Sequence, residues 1–471
     1  MKRILVILII FLILFLLITF QNYSLSQERA ILPPFDWPIS NPQEQGLNPN
    51  IFESANKVAE TLPYIYSFLV VKNGFLISEC YFNSKNKNDA YYIASASKSY
   101  LSALIGIALR EKYLVSLDQK MMDFFPEHIT PQMDQRKFDI NIKHLLTMTT
   151  GFPFDSTDSH WEKWYSSPSM IKFAIDLQLY ADPGERWAYS TSSTHILSGI
   201  ITKATGMSAY KFANQYLFDP LNISIRYWGR DPEGYYRGGW DMHFTPRDMA
   251  RFGLLYLNKG QINGLQIIPK DWVEESLQDY CPTYFDWGPI KESKYGYLWW
   301  LGKILDYNVY YANGHGGQII LVIPDLDMVI VTTTDANNSF EVGWKQNLET
   351  LRFIVNYVLS PIRGMMGSPP FSPSDIAAFK VANHGLAYQE YLSVIQWQPN
   401  HRNNTVNILK YKIYHMVGVN RYCLAEVDAN TYEFWHRRVE KNKEYTYAIS
   451  SVTAENKESG VTLISVKDPI Y

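Results

Sequence analysis

The chain has 471 residues, 46% hydrophobic and 19% charged, a balance that supports a sizeable core and more than one domain and excludes a disordered chain. Its formal net charge is only -3 and no long basic run follows the N-terminus, which excludes the electrostatic footprint of a nucleic-acid binder. Three cysteines, Cys80, Cys281 and Cys423, lie far apart without C-x-x-C spacing, so they read as buried or half-buried free thiols rather than a disulfide framework or zinc site.

Met1-Lys2-Arg3 leads into an apolar run from Ile4 through Leu17 to Phe20, a positive n-region followed by a hydrophobic segment. This is an export signal or an N-terminal membrane anchor, assigned here to residues 1–26. The run is long for a cleaved signal and slightly short for a full span, and Ser24-Leu25-Ser26 offers small residues for cleavage, so both fates stay open. Either way the chain is expected outside the cytoplasm, periplasmic, secreted or held at the outer face of the membrane, with Lys2 and Arg3 inside.

"SFLVVKNGFLISECYF" then predicts two strands joined by an Asn73-Gly74 turn. From Glu111 to about Met207, "INIKHLLTMTTG", "SPSMIKFAIDL" and "STSSTHILSGIITKATG" carry apolar residues at helical spacing, which predicts a mainly helical subdomain. From Ile267 onward, "LWWLGKI", "NVYYANG", "QIILVIP" and "MVIVTTTD" predict antiparallel strands, with the tightest turn at Pro324-Asp325-Leu326-Asp327 and a closing helix at about Trp344 to Leu359. The first globular unit is therefore an α/β (α+β) domain at 27–362. "SPIRGMMGSPPFSPSD" reads as a linker at 363–374. Beyond it, at 375–471, short strands of period two such as "YLSVIQWQP" and "ILKYKIYHM" predict a small all-β sandwich. The early Trp397 and "YTYAISSV" resemble a fibronectin type III module, whose partner would be another protein or an envelope component.

One stretch calls for chemistry. "YYIASASKSYLSALIGIAL" sets Ser95 and Lys98 at the mouth of an apolar helix, an S-x-x-K tetrad that places both side chains on one face. Tetrads also begin at Ser54, Ser84, Ser169 and Ser208, all in polar or amphipathic surroundings. A lysine in the first turn of a buried helix has its pKa lowered by desolvation and becomes an available base, although a serine-rich helix start with a snorkelling lysine fits the tetrad as well. After the Asp182-Pro183-Gly184 turn, Tyr189-Ser190-Thr191 stands before a helix, with Tyr189 either a core aromatic or a general base beside a lysine. Gly314, Gly316 and Gly317 around His315 suit a backbone that a substrate approaches closely, or a hairpin kink.

The ordered set Ser95-x-x-Lys98, Tyr189-Ser190-Thr191 and His315-Gly316-Gly317 resembles the serine β-lactamase and penicillin-binding-protein-like family, in its class C and esterase-related branch. "IKHLLTMTTG" and "TPRDMARFGLLYLNKG" extend the likeness over about residues 45 to 360. The resemblance implies a β-lactamase/transpeptidase-like antiparallel sheet flanked by helices and a serine hydrolase acting on an ester or amide. It implies Ser95 as the acylated nucleophile, with Lys98 and Tyr189 as proton-transfer groups in an order left open. It also implies the N–H groups of Ser95 and Gln318 as oxyanion donors, with Thr191, Trp187, His315, Gly316 and Gly317 around the substrate. Where β-lactamases usually carry Lys-Thr-Gly, this chain has His315-Gly316-Gly317, and Thr191 stands where asparagine is common, so penicillin hydrolysis is discounted in favour of esters, peptides and amides. An acyl or peptidyl transferase and a non-catalytic envelope-binding protein are the alternatives. Trp161, Trp164, Trp240, Tyr297 and Trp299 also lie near motif-bearing loops as candidates for the pocket wall. No histidine pair has metal spacing and no Gly-rich phosphate loop follows a strand, so neither metal nor cofactor is expected.

Overall fold

Asn73 and Gly74 both adopt positive φ, 52° and 79°, the left-handed pair that a two-residue hairpin requires. They join β1 (Ile65–Lys72) to β2 (Phe75–Tyr81). The computed structural model to which they belong describes residues 37–155, 158–365, 370–384, 389–400, 403, 408–417, 420–453 and 458–466. The expected signal or anchor, residues 1–26, falls outside the described residues. Among those that are described, no helix is long and apolar enough to cross a membrane.

The large sheet is completed by β3 (Cys281–Pro282), β4 (Ile290–Tyr295), β5 (Trp300–Ile304), β6 (Tyr307–Gly314), β7 (Gln318–Ile323) and β8 (Met328–Thr334). Its order is β2-β1-β8-β7-β6-β5-β4-β3, with neighbours antiparallel. Every residue of β7 and β8 is buried. Helices cover both faces there, which is why these strands read as continuous apolar runs instead of alternating.

Five helices frame the site: α1 (Pro49–Glu60), α2 (Ser97–Arg110), α3 (Thr191–Thr205), α4 (Pro246–Leu257) and α5 (Phe340–Ile354). Helix α4 packs through Gly253 on Val329 and Ile320, whereas Phe353 of α5 meets Phe68 edge-on at 5.3 Å on the opposite face. Helix α2 is buried from Ser97 to Ala108, and its Tyr100 stacks on Phe252 and Phe244 at 3.7 and 4.7 Å between ring centres. That stacking fixes the helix whose first turn carries Lys98. The helical subdomain between β2 and β3 contains Met121–Phe124, Ile142–Thr147, Asp158–Tyr165, Met170–Asp176 and α3.

A second, separate core is built by β9 (Ser374–His384), β10 (Gln389–Gln398), β11 (Ile408–Val417), β12 (Asn420–Asp428), β13 (Glu433–Arg437), β14 (Tyr445–Thr453) and β15 (Thr462–Val466). Three strands pair as β9-β10-β13 and four as β12-β11-β14-β15, with Trp397 fully buried between them.

Several expectations shift. Ser95 lies on a 3-10 turn, Ala94–Ala96, and α2 begins only at Ser97. "INIKHLLTMTTG" is helical only over Ile142–Thr147, because Met148 turns to φ 58°. A helical turn, Ser360–Met365, runs into the expected linker span, and β9 begins at Ser374, ahead of the strands expected from the period-two runs. Cys423, expected at least half-buried, is exposed on the edge strand β12, while Cys80 is half-buried and Cys281 buried.

Candidate active site

Ser95, Lys98 and Tyr189 converge. Lys98 is 2% exposed and its Nζ stands 3.0 Å from Ser95 Oγ and 2.9 Å from the Gly239 carbonyl oxygen. It also sits 4.9 Å from the centre of the Tyr189 ring. Burial lowers the Lys98 ammonium to about 7, although the Asp155 carboxylate opposes the shift. The Gly239 carbonyl can only accept, so a neutral Lys98 amine turns an N–H toward it and keeps its lone pair for the Ser95 hydroxyl proton. Tyr189 shares a hydrogen bond with Ser95, yet burial holds its hydroxyl well above the ordinary tyrosine value. The phenol therefore stays protonated at neutral pH.

Each partner is held by a specific local structure. Ser190 caps α3, its Oγ accepting from Ser193 N–H at 3.1 Å. Beneath it the buried Asp155 accepts from Ser190 Oγ at 3.0 Å and from the N–H groups of Thr191 and Ser192 at 2.9 and 2.7 Å. A carboxylate there matches the positive end of the helix and locks the backbone that presents Tyr189. On the other flank, His195 Nδ1 accepts from Gly238 N–H at 3.2 Å while its Nε2 donates to Asp231 Oδ2 at 2.9 Å, with the ring and the carboxylate both fully buried. That strut holds the loop whose Gly239 carbonyl meets Lys98. A Cβ on Gly239 would lie 2.3 Å from Thr194 Oγ1 and 3.1 Å from Lys98 Nζ, so only glycine lets the loop come so near. The short ladder of Tyr91–Tyr92, Met242–Phe244 and Tyr227–Trp228 ties this loop to the segment leading into Ser95. Asp155, His195, Asp231 and Gly239 are not legible in the sequence, because no local pattern distinguishes them; they matter only through partners 35 to 141 positions away.

Strand β6 ends against the nucleophile. A Cβ on Gly314 would lie 2.2 Å from the Ile93 carbonyl oxygen, so glycine is required where the strand abuts the Ser95 turn. The Gly314 carbonyl accepts from Gly317 N–H at 3.2 Å and from Asn347 Nδ2 at 3.0 Å. In a trans peptide the next N–H points the opposite way, so His315 N–H faces the flank left open where β5 stops pairing at Trp300 and Tyr311. Ser95 and His315 thus both border one cavity, on segments brought together by the end of β6.

A cavity of about 90 Å³ lies beside Ser95, walled by Phe154, Phe285, Trp287, Trp300, Phe340 and Trp344 and floored by Tyr189, Asn313, Gly314, His315, Gly343 and Asn347. The His315 ring packs on Gly343 and its Nε2 faces Asn338 Oδ1 at 2.9 Å. Other expected residues lie elsewhere. Gln318, whose backbone N–H is expected as an oxyanion donor, heads β7 after the hairpin turn and is not among the residues lining the cavity, and its buried side-chain Nε2 donates to the Thr334 carbonyl and Oγ1. Gly316 and Gly317, at φ 83° and 107°, form that turn and do not line the cavity. Thr191 begins α3 with its methyl toward Gly239, not toward the cavity. Trp187 lines an adjoining groove, bordered by Phe154, Tyr189 and Phe285, rather than the cavity at Ser95. Trp164 and Trp240 form a separate cluster against which Trp161 packs, and Tyr297 and Trp299 are core. The true wall residue Trp300 is the neighbour of Trp299, on the opposite side of the pleat. Among the described residues, no group of three or more His, Cys, Asp or Glu side chains is positioned to hold a metal ion.

Comparison with known proteins agrees with this layout. The sequence profile described as Beta-lactamase matches residues 66–351. The chain is 24% identical over 289 residues to the 6-aminohexanoate-dimer hydrolase of Paenarthrobacter ureafaciens, covering 56% of this chain and 71% of that one. By fold it is similar to an octameric penicillin-binding protein homologue from Pyrococcus abyssi, with a TM-score of 0.52 at 16% identity, covering 89% of this chain and 100% of that one. It is also similar to EstCE1, a hydrolase with promiscuous acyltransferase activity, with a TM-score of 0.54 at 15% identity, covering 66% of this chain and 99% of that one. With more than half its length matched by the profile, and with the mixed helix-and-sheet fold of the β-lactamase and transpeptidase-like proteins, the chain belongs to the β-lactamase family of serine hydrolases.

Proposed function

We propose that the protein hydrolyses an ester or amide through an acyl-enzyme on Ser95, with Lys98 taking the first proton. The observation that carries this reading is the buried Lys98 Nζ, 3.0 Å from Ser95 Oγ and lowered to about 7 by burial. Ser95 Oγ attacks the substrate carbonyl carbon as its proton passes to Lys98, and the N–H groups of Ser95 and His315 receive the oxyanion. When the tetrahedral adduct collapses, the bond to the leaving group breaks and Tyr189, still a phenol, gives that group its proton and regains one from Lys98. Water then enters, loses a proton to Lys98 and releases the acid, restoring the Ser95 hydroxyl.

His315-Gly316-Gly317 in place of Lys-Thr-Gly, and a cavity with no cationic side chain, support the esterase and amide-hydrolase branch over turnover of carboxylate-bearing β-lactams. Similarity to a 6-aminohexanoate-dimer hydrolase supports hydrolysis as the reaction. The run Ile4 to Phe20 behind Lys2 and Arg3 supports export, and the three-plus-four strand order at the C-terminus supports a fibronectin type III-like module that contacts another protein or envelope component. A fluorophosphonate probe read by intact mass tests the core of the proposal. One adduct on the wild-type protein and none on Ser95→Ala is expected; no adduct on the folded wild type, or equal labelling of the variant, overturns it.

A further inference from the structure

Gly314, Gly316 and Gly317 flank His315, and the last two adopt positive φ of 83° and 107°, so the local chain does little to hold the Gly314–His315 peptide at one tilt. Because a peptide unit is planar and trans, fixing its carbonyl oxygen also fixes its N–H. That oxygen, on Gly314, accepts from Gly317 N–H inside the turn and, from outside it, from Nδ2 of Asn347 on α5 at 3.0 Å. The second Nδ2 proton goes to Asn313 Oδ1 at 2.8 Å. A backbone carbonyl can only accept, so the Asn347 amide faces it with its nitrogen, which leaves the Asn347 Oδ1 buried without a partner among the described residues. An unpaired buried oxygen is unfavourable, and an apolar side chain at this position would avoid it. What the amide supplies against that penalty is its two donors.

Resting on the reading that Ser95 is acylated and that His315 N–H receives the oxyanion, we propose that Asn347 is a positioning residue for that donor. It acts through the Gly314–His315 peptide and not on the substrate, since its oxygen is buried and both of its Nδ2 protons are engaged. Helix α5 also carries Phe340 and Trp344 of the cavity wall, so one element sets both the wall and the aim of the donor. Without the Nδ2 bond the peptide between glycines can tip. A donor that swings off line stabilises the tetrahedral adduct less, while ground-state binding against the aromatic walls is kept.

Nitrophenyl acetate and nitrophenyl thionoacetate differ only by oxygen against sulfur at the carbonyl, and sulfur is the poorer hydrogen-bond acceptor. With each kcat/KM divided by the rate constant for hydroxide, the wild type is expected to favour the oxygen ester by about a hundredfold or more. Asn347→Leu is expected to lower kcat/KM for the oxygen ester about thirtyfold and for the thionoester only about threefold, so the ratio falls about tenfold. A loosened fold or a damaged wall slows both esters alike and leaves the ratio as it was. Asn347→Val, which is smaller and equally without a donor, makes the same test where leucine does not fit the buried site, with folding of each variant checked by circular dichroism. A wild-type ratio that persists in a folded variant overturns the inference while leaving the acyl-enzyme and its oxyanion donors standing. A wild-type ratio near one removes the oxyanion reading and this inference with it. If Ser95 takes no fluorophosphonate and neither ester is turned over, the acyl-enzyme falls as well.

Discussion

Replacing Lys98 by methionine removes an ionisable group that the fold buries. Burial lowers this ammonium from 10.5 to about 7. Each unit corresponds to about 1.4 kcal/mol, so holding Lys98 in place costs on the order of 4 kcal/mol of stability at pH 7. The sign follows from proton uptake. Because the folded value lies below the unfolded one, the unfolded chain binds more protons between about pH 7 and about pH 10.5, and stability rises with pH across that window. Methionine fills similar volume without charge, but it leaves the Gly239 carbonyl without its donor, a loss of about 1–3 kcal/mol. Lys98→Met should therefore be about 2 kcal/mol more stable than the wild type at pH 7, and the advantage should vanish near pH 9. Urea titrations followed by tryptophan fluorescence, run on both proteins from about pH 6 to about pH 9, read the difference directly, and all other titrating groups cancel between them. Ester hydrolysis should be lost at every pH. A stability difference that does not change with pH would refute the argument, since it would mean that Lys98 is not driven neutral by the fold.

The kcat/KM profile of the wild type is expected to fall below about pH 7 as Lys98 takes a proton, and Asp155→Asn should move that limb to lower pH, because the carboxylate is what holds the lysine value up. The same variant loses a charged cap on α3 and should unfold about 1–2 kcal/mol more easily in urea; a limb that moves to higher pH would contradict the assignment. Gly239→Ala forces a methyl against Thr194 Oγ1 and Lys98 Nζ and should lower kcat by about a hundredfold with a smaller change in KM, and unchanged kinetics would remove the Gly239 carbonyl from the mechanism. Tyr189→Phe should slow amides, whose leaving group needs a proton, far more than nitrophenyl esters, whose leaving group does not. Equal losses on both would make Tyr189 the base instead of the donor.

The sequence by itself determined what local physics can specify. Asn73-Gly74 demanded a tight hairpin, the uncharged run after Lys98 demanded a buried helix, and the runs at β5 to β8 demanded adjacent strands. The change to period two demanded a second, all-β unit. Ser95 and Lys98 stood out among five tetrads because none of the other four opens a buried apolar helix, and Tyr189 through its place in the ordered set of motifs. What lay beyond reach was anything set by which backbone atom faces which way. The choice of His315 over Gln318 as the proposed second oxyanion donor depends on where β6 turns into β7. The step from Trp299 to Trp300 as a wall of the cavity depends on one residue of pleat register, which sends neighbours to opposite faces. The supports of the site, Asp155 beneath α3 and the Asp231–His195–Gly238 strut behind Lys98, exist only as contacts between segments distant in the chain. Helical and strand periods are local properties of a chain, whereas the pKa of a buried amine and the aim of an N–H belong to the packing around them, so only the tertiary structure could decide them.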